Sequence, residues 1–105
     1  MNNIKIFSGT SNIPLAEAIC KKLRTKLGGL DIKRFSDGEI FVEVNESVRG
    51  SDCFVVQSTS SPVNENLLEL FVIVDALKRA AAKKVYAVIP YFGYSRQDRK
   101  VSYRS

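Results

Sequence analysis

At 105 residues, 45% of them hydrophobic and 26% charged, the chain has the composition of one small globular domain and is too apolar for a disordered segment. Its net charge of +5 is unevenly spread: residues 96–105 carry +3, which points to an anionic ligand or an interface at that end rather than a cationic surface that coats nucleic acid. Two cysteines are too few for a disulfide framework, and the absence of histidine removes the commonest general base, the commonest metal ligand and the usual partner of a nucleophilic serine or cysteine.

Ile4 to Ser8 is a short strand, and Gly9-Thr10-Ser11-Asn12 is turn chemistry. Ser11 or Asn12 caps the next helix, with Pro14 in its first turn, where no amide hydrogen is needed. Leu15, Ile19, Leu23 and Leu27 recur every four residues, with Ala16 and Cys20 beside them, and Gly28-Gly29 is expected to stop that helix. The Gly-Thr-Ser-Asn turn lacks a full glycine-rich phosphate fingerprint, so capping is preferred to a phosphate cradle.

Asp31 to Phe35 and Glu39 to Val44 are two strands joined by Ser36-Asp37-Gly38, a strong hairpin signal. Its large apolar side chains, Phe35 and Phe41, need cover from the domain, a ligand or a second subunit. Residues 45–52 form a polar loop in which Ser47 and Arg49 can hold an anion, although Ser-x-Arg is more often plain loop. Cys53 to Gln57 is a buried strand, and both Cys20 and Cys53 read as buried, reduced thiols. Ser61 or Asn64 caps a long helix with the stripe Leu67, Leu70, Phe71, Val74, Leu77 and Ala81, closed by Lys78, Arg79, Lys83 and Lys84 at the negative end of its dipole.

Val85 to Ile89 is an apolar, β-branched run that suits a strand buried on both faces, ended by Pro90. It empties into Tyr91, Phe92, Gly93 and Tyr94, then Arg96, Gln97, Asp98, Arg99 and Lys100. Ligands of open α/β sheets bind beyond the carboxyl ends of the strands, and arginine forks match phosphate while aromatic faces stack on bases. The element order β-α-β-β-β-α-β therefore predicts an α/β fold: a mainly parallel sheet flanked by helices, with an excursion hairpin. No apolar run approaches the roughly 20 residues of a membrane span and no signal-peptide pattern opens the chain, so a cytoplasmic location without a membrane partner is expected.

Four motifs stand in order: Phe-Ser-Gly-Thr-Ser-Asn at 7–12, Arg-Phe-Ser-Asp-Gly-Glu at 34–39, Glu-Ser-Val-Arg-Gly at 46–50 and Tyr-Ser-Arg-Gln-Asp-Arg-Lys at 94–100. Together they resemble the N-terminal domain of ribose-phosphate diphosphokinase, of phosphoribosyltransferase-like fold, over nearly the whole chain to about Ser102. The resemblance implies Mg²⁺-dependent transfer of the diphosphoryl group of ATP to ribose 5-phosphate, giving phosphoribosyl diphosphate and AMP. Such chemistry rests on positioning and charge neutralisation and needs no histidine nucleophile. By that resemblance Phe35 stacks on adenine across a subunit interface, and Asp37, Gly38 and Glu39 complete the contact. Arg96, Gln97, Arg99 and Lys100 hold ATP, and Ser47 and Arg49 belong to a regulatory phosphate site between subunits.

The same resemblance sets the departures. After Ser102 the family continues into Pro-Arg, whereas this chain reads Tyr103-Arg104-Ser105. The ribose 5-phosphate loop, the catalytic flexible loop and the Mg²⁺ ligands fall outside it, so the chain is expected to be an incomplete single N-terminal domain, inactive alone. Two other readings are carried: a non-catalytic interaction module that pairs with the full-length enzyme, and, less favoured, a nucleic-acid-binding domain with a steep salt dependence.

Overall fold

The computed structural model describes residues 3–91 and 93. Its elements run β1 (Ile4–Ser8), α1 (Ile13–Leu23), β2 (Leu30–Arg34), β3 (Ile40–Val44), β4 (Asp52–Val56), α2 (Val63–Arg79) and β5 (Lys84–Val88). β1, β4 and β5 form a parallel sheet in the order β1-β4-β5, and β2 and β3 pair antiparallel as a separate two-stranded sheet. The expected fold class, including the excursion hairpin, is what the chain adopts.

The strands' two faces carry two cores because side chains alternate along each strand. Phe7, Cys53 and Val55 pack with Val48 and with Leu70, Ile73 and Leu77 of α2, flanked by Leu30, Ile32, Val42 and Val44 of the hairpin. On the opposite face Ile6 and Val56 pack with Ala16 and Cys20 of α1. The hairpin and α2 thus share one side of the sheet and α1 takes the other.

Four local expectations need correction. First, α1 ends at Leu23 rather than running to Leu27, with Arg24 in the left-handed conformation at φ 57°. The next residues are drawn along the edge of β1, where Leu27 bridges Ile6 and Gly28 N–H donates to Ile6 O at 2.7 Å. Gly28 is therefore no helix stop: a Cβ there would overlap the Phe7 ring. Second, α2 has Pro62 at its N-cap position, without a side-chain cap bond. Third, its inward stripe is Asn66, Glu69, Leu70, Ile73 and Leu77, whereas Phe71 is 59% exposed. Glu69 has turned into the interior and rotated the face by about one residue. Fourth, β5 is the last strand of the sheet among the described residues, with Tyr86 exposed and stacked on Phe54 at a centroid distance of 4.7 Å, and is not buried on both faces.

At the start of α1, Asn12 is the N-cap and its Oδ1 accepts from Leu15 N–H at 3.3 Å. Asn12→Ala is expected to cost about 1 kcal/mol, the usual value of a helix cap. Urea denaturation checks it, and an unchanged midpoint would show that the bond contributes nothing.

Candidate functional site

The carboxyl ends of the strands are joined by a buried polar cluster that the sequence reading did not assemble. Glu69 is 0% exposed. Its Oε2 accepts from Thr10 N–H at 2.6 Å and from Gln57 Nε2 at 3.1 Å, and its Oε1 accepts from Thr10 Oγ1 at 2.9 Å. The Arg34 guanidinium adds Nε at 3.1 Å and a very short bond from Nη2, both to Oε1. Gln57, also fully buried, accepts from Ser11 N–H and Oγ and donates to Asn66 O. Arg34 extends to Glu65 at 3.0 Å and to Asn66 Oδ1 at 3.3 Å.

This cluster answers the question left at the Gly-Thr-Ser-Asn turn. The Thr10 amide goes to Glu69, the Ser11 amide to Gln57 and the Leu15 amide to Asn12. Those donors serve the fold and the cap and are not offered to a phosphate. Gly9 is demanded by close approach, since a Cβ there would overlap the Gln57 amide and the Glu69 carboxylate. The spacing of Asn66 and Glu69 was the available signal: both sit on the buried face of α2, where polar residues persist only with partners.

Beside the cluster stands the hairpin turn. Phe35 N–H donates to Glu39 O at 2.8 Å, Gly38 N–H to Phe35 O at 2.9 Å, and Glu39 N–H to Asp37 Oδ1 at 3.1 Å. Gly38 holds φ +95°, which glycine adopts without a steric penalty. The turn and the first half of α2 enclose a cleft of about 300 Å³ lined by Arg34, Phe35, Ser36, Gly38, Ile40, Glu65 and Leu68. That volume lies at the small end of ligand pockets, roughly 300–1,000 Å³. Phe35 is 49% exposed at its mouth, and Phe41, equally exposed, sits on the outer face of the hairpin opposite Lys33.

The loop after β5 arrives at the same edge. Thr59 N–H donates to Tyr91 O at 2.8 Å, and Gly93 N–H donates to Thr59 Oγ1 at 2.8 Å. Arg96, Gln97, Arg99 and Lys100 lie outside the described residues. Of the predicted nucleotide residues, Phe35, Asp37, Gly38 and Glu39 are brought together on one turn, next to a guanidinium.

Ser47 and Arg49 stand apart from that turn. Both are exposed in the loop before β4, at the amino end of the sheet, where Arg49 bridges Ala82 and nearby Glu46 pairs with Lys5 at 3.4 Å. Cys20 and Cys53 are buried and unpaired; burial raises both thiols, so neither is a ready thiolate. Among the described residues no three His, Cys, Asp or Glu side chains converge to hold a metal. None of its helices is long and apolar enough to cross a membrane.

Comparison with known proteins completes the description. Residues 4–105 match the family model described as the N-terminal domain of ribose phosphate pyrophosphokinase. The chain is 62% identical over 99 residues to a ribose-phosphate pyrophosphokinase of Fusobacterium nucleatum, covering 94% of this chain and 31% of that protein. It is 57% identical over 102 residues to one from Agrobacterium fabrum, covering 97% and 33%. A crystal structure of phosphoribosylpyrophosphate synthetase from Mycobacterium smegmatis superposes with a TM-score of 0.88 at 38% identity, covering 99% of this chain and 35% of that one. The chain spans about a third of the length of the curated relatives it matches.

Proposed function

The chain belongs to the family of ribose-phosphate pyrophosphokinase N-terminal domains, and from that premise we propose that it is the ATP-binding portion of such an enzyme. The whole enzyme would transfer diphosphate from ATP to ribose 5-phosphate. The observation that supports this reading is the hairpin turn, which presents an exposed Phe35 ring at the mouth of a cleft whose wall includes Arg34. The exposed aromatic face suits stacking on a base, whereas the Arg34 charge is already matched by Glu69 and Glu65 and shapes the cleft wall.

Phe35 stacks on adenine, and Asp37 and Glu39 accept hydrogen bonds from the exocyclic amine or ribose hydroxyls. Arg96, Gln97, Arg99 and Lys100 carry the phosphates. Magnesium, bound to the nucleotide, would neutralise phosphate charge. In this reading the 105 residues, about a third of the length of their relatives, do not by themselves turn over ribose 5-phosphate. A cytoplasmic location belongs to the same reading, although one relative is chloroplastic.

Calorimetric titration of the chain with Mg-ATP, with Mg-GTP as control, tests the proposal. ATP-selective binding is expected, and Phe35→Ala is expected to weaken it about tenfold, since a base–aromatic stack contributes roughly 1–3 kcal/mol. No binding at millimolar ATP by the folded chain would remove the claim. A second reading, an interaction module that pairs with another copy or with the full-length enzyme, is favoured by the exposed Phe41, Leu68 and Phe71. Co-purification with an intact enzyme, without nucleotide binding, would put it first.

A further inference from the structure

The hairpin is a two-stranded sheet separate from the main one. Its base is tied by Asn45 N–H to Gly29 O at 2.9 Å, which leaves the turn end to be held by other means. That end is anchored by Arg34, the last residue of β2, opposite Ile40 and directly before Phe35. Arg34 is anchored in turn by Glu69.

We infer that Glu69 is a positioning residue for the adenine-nucleotide site: through Arg34 it docks the Phe35–Glu39 turn against α2 and the loops that end β1 and β4. The inference rests on the ATP-binding reading above and adds to it a residue that touches no ligand. Stability alone does not account for the choice of an ion pair here, because a buried pair replaced as a whole by apolar side chains of similar volume is often no less stable. An apolar residue at 69 would continue the stripe of Leu70, Ile73 and Leu77. What an apolar residue cannot do is orient a guanidinium. Glu69 presents one oxygen to both Nε and Nη2 of Arg34, while Glu65 accepts from Nη1 and Asn66 from Nη2. The planar fork therefore has one defined orientation, and the residue after it, Phe35, has a defined exit. The same carboxylate also receives the Thr10 amide and hydroxyl, so the turn and the end of β1 are held by one group.

The test uses the full 105-residue chain as wild type, Glu69→Gln and Arg34→Lys. Glu69→Gln puts an amide donor among donors. Arg34→Lys keeps the charge beside Glu69 but removes the fork, and it leaves the Thr10 and Gln57 bonds in place. Amide hydrogen exchange is read well below the unfolding midpoint, at Phe35 and Gly38 in the turn and at Phe7 and Val55 in the core, alongside Mg-ATP affinity. Arg34→Lys is expected to exchange the turn amides about tenfold faster with core amides unchanged. Glu69→Gln, which also disturbs the Thr10 and Gln57 bonds, is expected to accelerate the turn amides more than the core amides. Both are expected to bind ATP about tenfold more weakly. Equal acceleration of turn and core in both variants would overturn the inference, since a merely structural group moves both. If Glu69→Gln does not fold, unchanged turn exchange in folded Arg34→Lys overturns it as well. If the wild type binds no ATP, the nucleotide reading falls, while the exchange pattern still decides whether Glu69 holds the turn.

Discussion

Gly9→Ala is expected to lower the free energy of unfolding by about 3 kcal/mol, from overpacking and from disruption of a buried charged network together. Nothing about the backbone conformation forbids alanine there. The cost is spatial: the new methyl would enter the volume of the Gln57 side-chain amide, with Glu69 Oε2 immediately behind it. Gln57 can retreat only by releasing the Ser11 amide and hydroxyl on one side or Asn66 O and Glu69 on the other. Each leaves a polar group buried without a partner, the expensive outcome for a hydrogen bond. Urea denaturation should show a lower midpoint with an unchanged slope. A shift worth less than about 1 kcal/mol would mean that the cluster relaxes around a methyl, and that its geometry is looser than described.

Phe7→Ala is expected to cost about 3–5 kcal/mol, the range for truncating a buried aromatic. Phe7 is 0% exposed and belongs to the core shared by the sheet, α2 and the hairpin. Its ring also fills the space over Gly28, so truncation opens a cavity between β1 and the segment that edges it. Against a typical domain stability of roughly 5–15 kcal/mol this is a large fraction, and thermal unfolding of the variant measures it. A loss near 1 kcal/mol would show that Gly28 and its neighbours collapse into the vacated space. Phe7→Leu, which keeps most of the volume, is expected to lose much less.

The two positions differ in how readily their roles are read. Phe7 lies in a strand recognised from the sequence, but Lys5 shares its face of that strand, and its burial comes from the cover supplied by α2 and the hairpin. Gly9 was read as turn chemistry, and Gly28 as a helix stop; both are instead sites of close approach by side chains from elsewhere, Gln57 with Glu69 in one case and Phe7 in the other. The end of α1 was misplaced for the same kind of reason. The four-residue apolar repeat continues to Leu27, but Leu27 and Gly28 pair with Ile6 along the edge of β1, a partner 21 residues away that the repeat does not contain.

For the candidate site, the turn Phe35 to Glu39 was legible because Asp-Gly between strands is a local signal and Phe35 is a large apolar residue on an exposed ribbon. The clamp behind it was not. Arg34, Gln57, Asn66 and Glu69 each look like ordinary polar positions until the fold brings them together from three separate segments.

By itself the sequence determined the order of strands and helices, the parallel sheet with its excursion hairpin, a helix cap at Ser11 or Asn12, and the family. Each of these is written in periodicity, turn residues or motif spacing among near neighbours. Only the tertiary structure decided that Glu69 goes in while Phe71 stays out. A carboxylate is buried only where enough donors converge on it, and the donors that make this possible, on Thr10, Arg34 and Gln57, lie 59, 35 and 12 residues away along the chain.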